Sequence, residues 1–194
     1  HSYLNQASLG LIGGPAVSAM HTFLDETARY GNLKMSDSEE KDFLNPLRSR
    51  ISRLVGAPEK NIAIVSSASE ILSQLPSLLA PDTGSQIILV STDFPAITRP
   101  WIASSTRNNL ELCFVDEKGN YNLTDEIIKK ISDRTAVVCV SHVQFSSGTR
   151  LNIPKLRAAT NTFGARLIID ITQSAGAVPL VLTNWCADIV VCSG

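Results

Sequence analysis

Six short runs along the chain, at residues 62–65, 86–90, 110–115, 136–140, 166–170 and 188–192, are apolar at nearly every position. A strand covered on both faces has no side to show to water, so runs of this length rich in Val, Ile and Leu predict the buried strands of a mostly parallel sheet. Between them the pattern changes to helical spacing. Leu47, Ile51, Leu54 and Val55 recur at that spacing in a segment that Asn45 and Pro46 open and Gly56 closes. This predicts a helix over 45–55 that lays one apolar face on the sheet. Thr124 with Asp125 and Glu126 opens a second helix, and Pro154 in a first turn opens a third. Residues 15–30 read as a helix behind a glycine-rich arm at Gly10, Gly13 and Gly14, and Ser36 with Glu39 has the spacing of a capping box. Strands alternating with helices predict an α/β fold of three layers, α/β/α, around a mostly parallel sheet. Ligand sites in such a fold lie beyond the carboxyl ends of the strands.

Composition narrows this picture without redirecting it. A chain of 194 residues has room for one sizeable domain with its own core, and no linker, repeat or low-complexity segment divides it. With 44% hydrophobic and 18% charged residues and a formal charge of −1, nothing points to nucleic acid or an anionic membrane as partner. Binding is expected at a local site. The longest apolar stretches are far too short to span a bilayer, and no basic segment followed by an apolar one opens the chain, so a cytoplasmic protein is expected. Cys113, Cys139, Cys186 and Cys192 form no C-x-x-C pair, and buried free thiols are expected of them. His1, His21 and His142 lie too far apart in sequence to suggest a metal motif, and no metal is expected.

Three places carry candidate chemistry. Ser66-Ser67-Ala68-Ser69-Glu70 follows the first apolar run and opens a helix, where free N–H groups and hydroxyls suit a phosphate or serve as a plain N-cap. Asp170 ends the run 166–170 and is trailed by Thr172, Gln173 and Ser174. A carboxylate there serves an active site, a metal, a ribose or, with equal weight on local grounds, the cap of the next helix. The run 187–192 delivers Ser193 and Gly194 to the same edge of the sheet.

Taken in order and spacing, these segments resemble the fold-type I enzymes of the class V aminotransferase and cysteine desulfurase superfamily, which depend on pyridoxal 5'-phosphate (PLP). Tyr3-Leu4-Asn5-Gln6-Ala7-Ser8-Leu9-Gly10 is similar to the family's "YLDNAATG" arm, and Val65 through Glu70 to its "TSGATEA" phosphate turn. Asp93-Phe94-Pro95 with Pro100-Trp101 resembles its ring-stacking segment. Ser141-His142-Val143 through Gly148, Ile169 through Gly176 and Ala187 through Gly194 resemble "SHV…G", "vDgaQsxG" and "aDfvvxSG".

The resemblance implies a three-layer PLP-transferase large domain at 15–194, preceded by an arm at 1–14 and incomplete at its C-terminal side. It implies that Ala68, Ser69 and Ser193 bind the cofactor phosphate, that Phe94 stacks on the ring, that Asp170 pairs with the protonated ring nitrogen and that Gln173 hydrogen-bonds the ring hydroxyl. It further implies catalytic roles for Asp170 and His142, substrate contacts at Asn5 and Ala7, an amino acid as small-molecule substrate, and a homodimer. The reaction implied runs through an aldimine and an α-carbanion, as transamination, elimination or epimerisation. The family's Schiff-base lysine falls directly after Gly194, and none of Lys34, Lys41, Lys60, Lys118, Lys129, Lys130 or Lys155 matches it. Phe94 stands where many desulfurases carry histidine, which leans toward the kynureninase-like or isopenicillin N epimerase-like branch. Two other readings contrast with this one. A non-catalytic PLP-fold module used for assembly would lack the lysine, and a Rossmann-type dinucleotide binder would need a G-x-G-x-x-G that Gly10, Gly13 and Gly14 do not make.

Overall fold

Five of the six apolar runs become strands in the computed structural model: β1 (Gln86–Val90), β2 (Glu111–Val115), β3 (Thr135–Ser141), β4 (Arg166–Asp170) and β5 (Ile189–Val191). All neighbours pair parallel, in the order β2-β1-β3-β4-β5. The structure describes residues 2–5, 7, 9–117 and 122–193; His1, Gln6, Ser8, Lys118 and Gly194, named above, lie outside them. Seven α-helices accompany the sheet among the described residues: α1 (Gly14–Tyr30), α2 (Asp37–Asp42), α3 (Asn45–Val55), α4 (Ala68–Leu79), α5 (Pro95–Asn108), α6 (Leu123–Ile128) and α7 (Ile153–Phe163).

Strand order decides which helix covers which face. From β1 the chain crosses through α5 to β2 on one side, then returns through α6 to β3 on the other and continues through α7 to β4. Parallel crossovers share one hand, so a reversal of direction moves the connecting helix to the opposite face. Accordingly Ile87, Leu89, Val137, Cys139 and Ile168 pack with Leu72 and Leu75 of α4 and Trp101 of α5. The alternate positions Ile88, Val90, Val138, Val140, Leu167 and Ile169 pack with α6 and α7 through Leu123, Ile127, Ile153 and Leu156. This two-sided burial is why the central strands read as continuous apolar runs. At the edge the expectation is too strong: β2 leaves Phe114 exposed.

Three further expectations are corrected. Residues 62–65 form no strand; Ile62 and Ile64 are half-buried, Ala63 and Val65 are exposed, and no strand pairs with them. A cavity of about 630 Å³, lined by Ile62, Ala63, Val190 and Cys192, borders both this segment and the β5 edge. An apolar run records burial, and pairing needs a neighbour within hydrogen-bond reach. Helix α3 has the expected bounds, but only Ile51 and Val55 reach the core, while Leu47 and Leu54 are exposed. At its end Gly56 adopts φ +63°, and a Cβ there would lie 3.2 Å from Val181 Cα, so backbone conformation and close packing both call for glycine. All four cysteines are free, yet only Cys139 is buried, because Cys186 and Cys192 lie beside or beyond the short edge strand β5.

The Ser36–Glu39 capping box forms at the start of α2. Helices α1 and α2 bury no residue, and α1 displays Met20, Phe23 and Leu24. Among the described residues no helix is long and apolar enough to cross a membrane.

Candidate active site

The sheet changes direction between β1 and β3, which opens a crevice beyond the carboxyl ends of those strands. Asp93 follows β1, Ser141 ends β3, and Asp170 ends β4 in register with Ser141. Register neighbours in a parallel sheet project from the same face, so Ser141 and Asp170 both turn toward the α4 and α5 layer. There they line a cavity of about 420 Å³, a size suited to a small-molecule ligand.

Asp170 is buried, and its Oδ1 accepts a 2.7 Å hydrogen bond from the Thr172 N–H. No helix directly follows β4, so this bond closes a turn and Asp170 is not the helix cap that the local pattern also allowed. Burial raises its pKa above the ordinary carboxylate value; the Thr172 hydrogen bonds pull it down, and the nearby Asp93 adds to the rise. A carboxyl group whose charge is penalised in this way gains most from a cationic hydrogen-bond donor.

Across the cavity stands the N-terminus of α4. Ser67 caps it, accepting from the Glu70 N–H at 3.1 Å. Ala68 and Ser69, the first two helical residues, have N–H groups without intrahelical acceptors, and both residues line the cavity. Two such N–H groups at the positive end of a twelve-residue helix make an anion position. Ser193 reaches the same cavity, its N–H tied to Thr172 Oγ1 at 2.9 Å.

Phe94 caps α5 with its ring half-exposed toward the cavity and meets Phe145 edge-on, centroids 5.4 Å apart. Its backbone is pinned by Asp93, whose buried carboxylate accepts from the Phe94 N–H at 2.8 Å, from Ser141 N–H at 2.8 Å and Oγ at 2.6 Å, and from Gln144 Nε2 at 3.3 Å. Gln173, Asn5 and Ala7 complete the expected set at this cavity. Sequence reasoning missed Ser141, Phe145, Thr172 and the organising carboxylate Asp93. For Ser141 the signal was present, since the period of two along β3 puts it on the face of Val137 and Cys139.

That same period takes His142 away. Its ring sits on the face of Val138 and Val140, lining a separate cleft with Arg150 and Trp185. Only its backbone touches the site, through a 2.8 Å bond from its N–H to the Asp170 carbonyl. Burial, with the charge of Arg150, pushes its pKa down to about 4. The structure therefore gathers eight of the nine expected residues at one cavity and leaves His142 behind the sheet.

A protein-family model described as aminotransferase class-V matches residues 3–194. Among curated proteins, the uncharacterized aminotransferase YcbU of Bacillus subtilis is 27% identical over 190 residues, covering 98% of this chain and 50% of that protein. Kynureninase of Yarrowia lipolytica is 29% identical over 157 residues, covering 75% of this chain and 36% of that one. Among solved structures, a C-DES mutant with glycine covalently linked to its PLP cofactor superposes with a TM-score of 0.86 at 19% identity, covering 99% of this chain and 52% of that one. The apo cysteine desulfurase from Thermococcus onnurineus NA1 gives 0.81 at 22% identity, with 98% and 49% covered. The fold is thus the α/β fold of the PLP-dependent transferases, and the chain spans about half the length of YcbU and of the two solved structures and 36% of the kynureninase.

Proposed function

The chain belongs to the class-V aminotransferase family, and on that premise we propose that it forms the PLP-binding part of an enzyme acting on an amino acid. The observation that carries this reading is the convergence of an anion-binding helix end, an aromatic ring and a buried carboxyl group on one cavity, from segments far apart in sequence. These are the three features a phosphate-bearing, flat, cationic ring requires.

The bound cofactor supplies an electron sink for the negative charge that develops at the substrate α-carbon. This chain's residues supply the rest. Ala68 and Ser69 at the start of α4, with the Ser193 hydroxyl, hold the phosphate. Phe94 covers one face of the ring, held in place by Asp93 and backed by Phe145. Asp170 keeps a proton on the ring nitrogen, because the paired cation lifts the burial penalty on its own charge. The Thr172 N–H fixes the orientation of that carboxylate. Gln173 hydrogen-bonds the ring hydroxyl, and Asn5 and Ala7 face the substrate side. The reaction belongs to the transaminase, lyase or epimerase types of the family, carried out by a cytoplasmic homodimer in which residues 1–14 act as an arm and 15–194 as the large domain.

Titration of the intact protein with PLP, followed by its visible absorption, borohydride treatment and peptide mapping, tests the proposal. Saturable binding that borohydride fixes to a single lysine is expected, with spectral change on adding an amino-acid substrate. Failure of PLP to bind saturably, or its fixation at scattered surface lysines, would contradict it.

A further inference from the structure

Phe145 backs Phe94 with a ring edge, yet the residue stays 46% exposed and lines the cofactor cavity. This exposure does not come from a slack loop. The Gln144 N–H donates to the Thr149 carbonyl and the Gly148 N–H to the Gln144 carbonyl, both at 2.9 Å, which closes the turn that carries Phe145. At its base Val143 and Arg150 form an antiparallel bridge. The buried Gln144 side chain donates to the Asp93 carboxylate and to the Ser141 carbonyl, each at 3.3 Å. On the far side Ser147 Oγ donates to Glu117, beyond the end of β2, at 2.7 Å. An apolar ring fixed from three directions and still open to the cavity has little freedom left to lose on binding, which suits it to a contact surface.

We propose that Phe145 determines specificity by contacting the substrate side chain, and that the amino acid it selects is apolar, an aromatic one above all. This rests on the cofactor reading above and deepens it. On the PLP ring the nitrogen and the carbon that bears the reacting group stand para to each other. A nitrogen held at buried Asp170 therefore directs the reacting group away from the cavity floor, toward the side where Phe94 and Phe145 are exposed. Asp170 is the only charged side chain among the described residues that line the cavity, and the ring nitrogen takes it up. The proton of the Ser141 hydroxyl is already given to Asp93 at 2.6 Å. A charged substrate side chain would lose water here without a described partner of opposite sign, whereas an apolar one covers the open surface of Phe145. An aromatic one gains an edge-to-face contact as well.

The probes are phosphopyridoxyl-L-phenylalanine, phosphopyridoxyl-L-alanine and phosphopyridoxyl-L-aspartate, stable reduced conjugates that join cofactor and amino acid in one molecule and undergo no turnover. Their Kd values are measured by fluorescence titration of the intact protein freed of cofactor, as wild type, Phe145→Ala and Phe145→Leu. All the conjugates share the cofactor half, so the ratio of two affinities isolates the side-chain contact from any disturbance of Phe94. In the wild type the phenylalanine conjugate is expected to bind about tenfold or more tighter than the alanine conjugate, and the aspartate conjugate no tighter than the alanine one. The phenylalanine-to-alanine ratio is expected to fall to near one in Phe145→Ala and to an intermediate value in Phe145→Leu. A ratio near one in the wild type, a wild-type ratio kept in the variants, or an aspartate conjugate that binds tightest would overturn the proposal and leave the cofactor reading standing. Failure of the wild type to bind PLP and every conjugate would bring down both.

Discussion

Asp170 shows how one side chain serves folding and chemistry at different cost. Its hydrogen bond from Thr172 orders the turn after β4, while its burial disfavours the charge that the proposed cofactor needs. Because its folded-state pKa is raised, its favourable contribution to stability is complete below the unfolded-state value and is lost as pH rises through the folded one. Asp170→Asn keeps an oxygen to accept from Thr172 and removes the charge. The cofactor-free variant is therefore expected to melt higher than the wild type at neutral pH, with the gap closing under acid; calorimetry across pH checks this. His142 works in the opposite sense. With a folded-state value of about 4 against the ordinary 6.5, it favours the fold fully above pH 6.5 and loses that contribution as pH falls toward 4. His142→Gln is expected to reduce acid destabilisation across that window by on the order of 2 kcal/mol, measured as urea stability at several pH values.

At the scale of elements, Asp93 fastens three pieces together: the end of β1, the end of β3 and the start of α5. Asp93→Ala leaves several buried donors without an acceptor and is expected to cost about 3 kcal/mol or more in denaturant unfolding. Asp93→Asn, which retains an acceptor, is expected to cost clearly less, and equal losses would show that the hydrogen bonds are not what holds these pieces together. The contrast also marks what sequence could reveal. The central strands were legible because both faces are buried, and helix bounds were legible where a local cap sets them, as at Pro46 and Gly56. Residues 62–65 misled because an unpaired extended segment can be as apolar as a strand. Asp93 escaped notice as an organiser because its partners Ser141 and Gln144 lie about fifty residues away, a distance that no local pattern bridges.

For the whole molecule, the decisive feature is the reversal of strand order at β1. It sends α5 to one face and α6 and α7 to the other, and it brings the strand-end residues Asp93, Ser141 and Asp170 to one side of the sheet. The start of α4, Asp170 and Ser193 were legible because strand ends and helix starts gather at one edge of a parallel α/β fold, whereas Phe94, Gln173, Asn5 and Ala7 were legible only through the family resemblance. His142 was misplaced because that rule locates an edge and does not choose a face; the alternation along β3 does. The central claim is that Asp170 provides the charge that holds a protonated PLP ring in the cavity. Its most direct test compares PLP affinity of the intact wild type and Asp170→Asn by spectrophotometric titration at neutral pH. Loss of one charge-assisted hydrogen bond is expected to weaken binding about 10- to 100-fold, while the variant remains folded. Equal affinity in the two proteins would contradict the claim.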